Sequence, residues 1–82
     1  MKTAFLSLGS NLGDKIGYIQ QAYKMLSFTD NIEVKSCSSF YETEPYGNKN
    51  QDWFVNVALE VKTTLSAQDL LHECLRIETQ LG

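Results

Sequence analysis

The sequence is poor in the residues that mark metal, redox and secreted proteins. It has two cysteines and one histidine, and Cys37 and Cys74 do not form the closely spaced pair of a zinc or redox motif. A small secreted domain usually carries more cysteines, so we expect a reduced, cytoplasmic location. His72 has no second ligand at metal-binding spacing, and we expect no metal site within the chain.

Positive charge and long apolar segments are also scarce. The formal net charge is −3 at pH 7, whereas nucleic acids and anionic membranes usually select a basic face. No apolar run approaches the roughly 20 residues that span a bilayer, and the first residues are too short an apolar segment for a signal peptide. We therefore expect no nucleic-acid and no membrane partner. The 82 residues suit one small domain, 1–82.

The hydrophobic pattern predicts the order strand, helix, strand, strand, helix. The apolar run 4–8 reads as a strand covered on both faces. Asp14 is placed as the N-cap of the first helix, and alternation predicts a second strand over 32–41. The apolar stripe predicted for the first helix consists of Ile16, Ile19, Ala22, Tyr23 and Leu26.

The second half of the chain predicts a long strand and a capped helix. Period-two alternation places Trp53, Val55, Val57, Leu59 and Val61 on the inner face of the third strand. Ser66 begins a capping box, and Gly82 suits the end of the last helix. The predicted stripe of that helix is Leu70, Cys74, Ile77 and Leu81. This order predicts an α+β fold, a ferredoxin-like half-sandwich with both helices on one sheet face and the third strand central.

The open face of the third strand carries the residues best suited to bind a ligand. Phe54 and Asn56 share that face about 7 Å apart, so a flat ring can stack on Phe54 while the amide of Asn56 offers one acceptor and two donors. The alternative is that Phe54 packs under another element and Asn56 caps a bulge. The preceding loop, 42–52, either folds over such a ligand or is a solvated connection. Gly9–Gly13 lacks the residues of a phosphate loop and reads as a strand-to-helix turn.

Three motifs together give the chain a family resemblance. They are Gly9-Ser10-Asn11-Leu12-Gly13-Asp14, the segment Ser38–Tyr41 with Thr43, Pro45 and Gly47, and Gln51-Asp52 with Phe54-Val55-Asn56; Ile77-Glu78 and Leu81-Gly82 continue the match. In this order and spacing they resemble the amino-terminal half of the hydroxymethyl-dihydropterin pyrophosphokinase family of folate biosynthesis. The match overturns the alternative for Phe54 and Asn56.

The resemblance implies roles for individual residues. Phe54 would stack on the pterin and Asn56 would hydrogen-bond its edge, while Thr43, Pro45 and Tyr46 would line the pocket. Leu71 and Glu78 would face the nucleotide. The implied enzyme is a transferase that uses ATP and Mg²⁺ to place a diphosphate on the hydroxymethyl group of the pterin, releasing AMP.

The family continues beyond Leu81-Gly82 with an arginine, a Trp-Gly-Pro-Arg loop and a strand bearing an Asp-x-Asp pair for magnesium. We therefore expect most of a pterin pocket, little of the ATP site, no catalytic residue and no metal ligand in this chain, which would be inactive by itself. Without the last strand, the first strand would be an unpaired edge, and we expect self-association through it. The alternative function is a non-catalytic ferredoxin-like binding or assembly module.

Overall fold

The computed structural model describes residues 1–47 and 51–82. The elements are β1 (Lys2–Ser10), α1 (Lys15–Ser27), β2 (Ile32–Cys37), β3 (Tyr41–Thr43), β4 (Phe54–Thr63) and α2 (Ala67–Leu81). The predicted α+β class and ferredoxin-like order are confirmed, with one strand more than expected. The middle of the predicted loop 42–52, residues 48–50, lies outside the described residues.

The longest strand, β4, is the centre of the sheet, as predicted. It pairs antiparallel with β1 on one side and with β2 and β3 on the other. The β1–β4 register runs without interruption from Lys2 opposite Thr63 to Ser10 opposite Val55. Among the described residues β1 pairs with no other strand. We call the side of β1 that faces away from β4 its outer edge.

The predicted strand 32–41 is interrupted, and this part of the prediction is wrong. Lys35 is an extra residue in the β2–β4 ladder, where the register shifts between Val34 and Ser36. A second interruption follows at Ser38, whose hydroxyl accepts a hydrogen bond from the Ala58 amide at 2.8 Å, while the Ser38 amide donates to the Ala58 carbonyl at 2.8 Å. The side chain thus takes the place of a backbone acceptor, and the chain resumes pairing as β3.

The core lies between the sheet and both helices, which pack on the same face. Its buried residues are Ile19, Ala22, Leu26, Ile32, Val57, Leu59, Val61, Leu70 and Ile77. Three predicted core positions are exposed instead. Trp53 lies before the first residue of β4, so strand alternation does not govern it; Tyr23 lies at the margin of the α1 stripe; and Ile16, in the first turn, does not pack on the core.

The prediction that β1 is covered on both faces is also wrong. Ala4, Leu6 and Leu8 are partly buried against the core, but Phe5 between them is 76% exposed. The physical reason is that the helices cover one face of the sheet, so alternate β1 side chains point to solvent.

Local contacts begin both helices and end α2 as predicted. The Asp14 carboxylate accepts from the Gly17 amide at 3.0 Å, and the Ser66 hydroxyl accepts from the Asp69 amide at 3.1 Å. Gly82 ends α2 with a φ of 85° and donates its amide to the Glu78 carbonyl. No helix in the described part of the chain is long and apolar enough to cross a membrane.

Candidate functional site

Asn56 lies at the middle of the candidate site, on the sheet face opposite the helices. Its Nδ2 donates to the Thr43 hydroxyl at 2.9 Å and to the Tyr41 carbonyl at 3.4 Å. Both acceptors belong to β3, and Tyr41 is the register partner of Asn56. The interruption of the strand at Ser38 therefore matters for the site, because the shifted register of β3 places Thr43 within reach of the amide.

On its other side Asn56 faces Gly9 of β1, which is its register partner there. A Cβ atom at Gly9 would overlap the Asn56 Oδ1 atom. The amide therefore lies across three strands, with its nitrogen held by β3 and its oxygen over the bare backbone of β1.

Phe54 opens onto a cleft that is also lined by Gly9, the register partner of Asn56. The residue is half-buried and pairs with Thr43 in the β3–β4 register. The cleft has a volume of about 520 Å³. It is lined by Phe54, by the turn 9–14 with Tyr18 behind it, and by Leu81 and Gly82 at the end of α2. The fold thus brings the first and third sequence motifs together around one aromatic ring.

The loop residues of the predicted pocket lie in a second depression. Pro45 and Tyr46 line it with Trp53, and its volume is about 440 Å³. The Tyr46 side chain is fully exposed. Of the five residues predicted to hold the pterin, Thr43, Phe54 and Asn56 therefore form one group, and Pro45 and Tyr46 lie apart from it.

The two residues predicted to face the nucleotide lie on the helical side of the sheet. Leu71 and Glu78 line a groove of about 250 Å³ between α2 and β1, together with Leu6, Leu8 and Cys74. Burial raises the pKa of the Cys74 thiol, and the nearby carboxylates of Glu78 and Glu73 raise it further. A thiol with a raised pKa stays protonated at neutral pH and is a poor nucleophile.

Charged side chains of the described residues do not gather into a metal-binding cluster. No three His, Cys, Asp or Glu side chains of 1–47 and 51–82 lie close enough to hold a metal ion. The Arg76 guanidinium is engaged by Glu73 at 2.7 Å and by Gln80 at 3.2 Å on the surface of α2. The arrangement suits a flat ligand that is bound by stacking and by a small number of hydrogen bonds.

Two residues of the site were not identified from sequence. Gly9 belongs to the first motif, but its contact with Asn56 depends on the register of two strands that are distant in the chain. Tyr41 contributes its backbone carbonyl. Every residue has a backbone carbonyl, so the amino-acid type at this position does not indicate the contact.

Comparison with known proteins gives consistent matches along the chain. The family model for 7,8-dihydro-6-hydroxymethylpterin-pyrophosphokinase matches residues 5–82. The chain is 44% identical over 82 residues to the 2-amino-4-hydroxy-6-hydroxymethyldihydropteridine pyrophosphokinase of Methylorubrum extorquens, covering 100% of this chain and 52% of that protein. The enzyme of the same name from Bacillus subtilis is 42% identical over 79 residues, which is 96% of this chain and 47% of the relative.

A third relative is a longer protein. The folic acid synthesis protein fol1 of Schizosaccharomyces pombe is 43% identical over 81 residues, which is 99% of this chain and 11% of that protein. The chain spans about half the length of the two bacterial relatives.

Proposed function

The chain belongs to the 7,8-dihydro-6-hydroxymethylpterin-pyrophosphokinase family, and on that premise we propose that it forms the pterin-binding part of such an enzyme. The complete reaction would transfer the terminal diphosphate of ATP to the hydroxymethyl group of the dihydropterin in the cytoplasm, as a step of folate biosynthesis. The shared core of both helices and the sheet supports treating residues 1–82 as one domain.

The observation that carries this proposal is the Asn56–Thr43 hydrogen bond beside Phe54. A pterin is flat and has hydrogen-bonding groups around its edge. Its binding site therefore needs an aromatic ring on which it can stack and an ordered polar group close enough to contact its edge at the same time. Phe54 supplies the face, and the bond from Asn56 to Thr43 at 2.9 Å orders the amide before any ligand arrives. A preordered group loses less conformational entropy on binding than a mobile one.

The remaining predicted contacts belong to the same proposal. Pro45 and Tyr46 would close over the pterin from the second depression, and Leu71 and Glu78 would face ATP from the groove beside α2. The described residues do not fit a Mg²⁺ site, because their His, Cys, Asp and Glu side chains form no cluster that could coordinate the ion. We assign no step of the transfer to a residue of this chain, and we expect the chain by itself to bind rather than to catalyse.

Titration calorimetry with 6-hydroxymethylpterin tests the proposal. Stacking and burial of an aromatic side chain contribute about 1–3 kcal/mol, so Phe54→Ala should weaken binding roughly ten- to hundred-fold. Asn56→Ala should weaken it as well, because an edge group of the ring loses its partner. Phe28→Ala is the matched control, since this phenylalanine is 78% exposed at the end of α1. Equal affinity in wild type and all three variants, or no binding by wild type, would overturn the assignment of the site.

We also propose that the chain self-associates through the outer edge of β1. Among the described residues this edge has no pairing strand, and backbone N–H and C=O groups on such an edge accept an extended strand. A second copy of β1 suits it, because antiparallel pairing about Leu6 would place Lys2 opposite Ser10 and would bring no like charges together. The exposed Phe5 side chains and the groove beside Leu71 add apolar surface to the contact.

Analytical ultracentrifugation at micromolar concentration tests the self-association, combined with hydrogen exchange of the β1 amides. The expected result is a dimer whose Phe5 and Leu6 amides exchange slowly. Phe5→Lys should return the monomer, because it places two charges at the shared edge, while Phe28→Lys adds the same charge elsewhere and should leave the dimer intact. A monomeric wild type with fast exchange at Phe5 and Leu6 would contradict the proposal.

A further inference from the structure

The amide of Asn56 is held in one orientation by acceptors on a single side. Its nitrogen carries two hydrogens, and two acceptors lie within reach, the Thr43 hydroxyl at 2.9 Å and the Tyr41 carbonyl at 3.4 Å. A carbonyl oxygen accepts and never donates. Rotating the amide by half a turn would therefore bring two carbonyl oxygens together at Tyr41. The hydrogen bonds leave the Oδ1 atom as the part of the amide that is directed away from β3.

Gly9 is the residue that gives this oxygen its place. It lies directly opposite Asn56 in the β1–β4 pair, and the space that its Cβ would fill is occupied by the Asn56 carbonyl oxygen, with Cγ of the same side chain at 3.4 Å. The Asn56 side chain is short, and its amide nitrogen is hydrogen-bonded to Thr43. The Oδ1 atom therefore cannot move away from residue 9 unless the amide loses its hydrogen bonds to β3. Any side chain at residue 9 would therefore displace the Asn56 amide.

From this geometry we infer that Gly9 is a positioning residue for Asn56, and that together with Thr43 and Tyr41 it makes the amide a pure hydrogen-bond acceptor toward the ligand. The inference rests on the proposed function for the ligand class. It deepens that proposal by naming the ligand group that Asn56 binds. Asn56 recognises an N–H donor on the edge of the heterocycle, such as the ring N–H beside the exocyclic amino group of a pterin. A ligand that presents only acceptors there would meet Oδ1 and be rejected.

The first test needs no ligand. The side-chain N–H pair of Asn56 gives a pair of signals in a ¹H–¹⁵N correlation spectrum, which Asn56→Ala assigns by removing them. We expect slow exchange with water for this pair in the wild type. In Gly9→Ala the pair should move to the shifts of a solvated amide and exchange faster. Ser7→Thr adds one methyl group to the same face of β1, two residues away, and should leave the pair unchanged. An unchanged Asn56 pair in Gly9→Ala would overturn the inference.

The second test separates positioning from simple damage to the strand. Calorimetry with 6-hydroxymethylpterin should show Gly9→Ala weakening binding roughly ten-fold, about the loss expected for one hydrogen bond. In an Asn56→Ala background the same change should cost nothing further, because the overlapping oxygen is gone. Additive losses in the double variant would mean that Gly9 acts on the strand and would refute its positioning role.

A methylated ligand tests the acceptor assignment. Blocking the ring N–H of the pterin with a methyl group should weaken binding to wild type and have little effect on Asn56→Ala; equal loss in both proteins would contradict it. A wild-type chain that binds no pterin but shows the expected amide signals would overturn the proposed function and uphold the positioning of Asn56 by Gly9.

Discussion

Gly17 offers a sharp test of how one capping contact controls the effect of a helix substitution. Replacing a glycine inside a helix by alanine usually stabilises a protein by about 1 kcal/mol. Gly17 lies in the first turn of α1, where its amide donates to the Asp14 carboxylate at 3.0 Å. A Cβ at residue 17 would overlap that carboxylate and would lie 2.7 Å from Asp14 Cγ. We therefore expect Gly17→Ala to expel the cap.

The two effects nearly cancel. Loss of an N-cap side chain costs about 0.5–2 kcal/mol, typically about 1, which offsets the gain in helix propensity. In an Asp14→Ala background the cap is already absent, so Gly17→Ala should there give its full gain of about 1 kcal/mol. The double-mutant cycle should thus show a coupling of about 1 kcal/mol between residues 14 and 17.

Urea unfolding followed by far-UV circular dichroism measures this coupling. With a slope of about 1 kcal/mol per molar urea, typical of small proteins, the difference between backgrounds is about 1 M in midpoint. Asp14→Asn keeps a capping side chain and serves as the control, in which Gly17→Ala should again give no net gain. If Gly17→Ala raised the midpoint equally in the wild-type and Asp14→Ala backgrounds, the steric reasoning would be refuted.

Four further predictions concern the core, the two thiols and catalysis. Leu59 is 0% exposed, so Leu59→Ala should lower the free energy of unfolding by about 2–5 kcal/mol, and an unchanged thermal melt would contradict the described core. Iodoacetamide should label the exposed Cys37 before Cys74, as read by peptide mass spectrometry. Because burial and the carboxylates of Glu78 and Glu73 raise the pKa of the folded Cys74 thiol, its contribution to stability is full below the unfolded thiol pKa and is lost as pH rises through the folded one. The difference in melting temperature between wild type and Cys74→Ala should therefore change as pH rises through this range, and a difference that stays constant with pH would contradict the prediction. Finally, the chain by itself should release no AMP from ATP, Mg²⁺ and hydroxymethyl-dihydropterin, and turnover by the purified chain would exclude this.

The parts of the fold that depend on neighbouring residues were predictable from sequence. Asp14 and Ser66 cap helices because an acceptor side chain next to free backbone amides acts within one turn. The inner face of β4 follows from period-two alternation, which correctly placed Val57, Leu59 and Val61 toward the helices.

The parts that depend on distant strands were not predictable. The interruption of strand 32–41 at Ser38 depends on the Ala58 amide, and a serine in an alternating segment gives no sign that its hydroxyl will replace a backbone acceptor. Phe54 and Asn56 could be assigned to one face by spacing alone. The orientation of the Asn56 amide could not, because Gly9 and Thr43 reach it from two other strands.

The pairing of β1 with β4 also has a consequence for how the chain folds during synthesis. Lys2 pairs with Thr63 and Ser10 with Val55, so the first strand is made long before its partner. At about 5–20 residues per second, the ribosome needs several seconds to supply β4. Throughout that delay β1 lacks its pairing strand, while α1, which packs against β1 in the folded chain, is already made. Long-range pairing of this kind slows folding, and a chaperone that binds short extended apolar segments would find β1 without its pairing strand on the nascent chain until β4 is made.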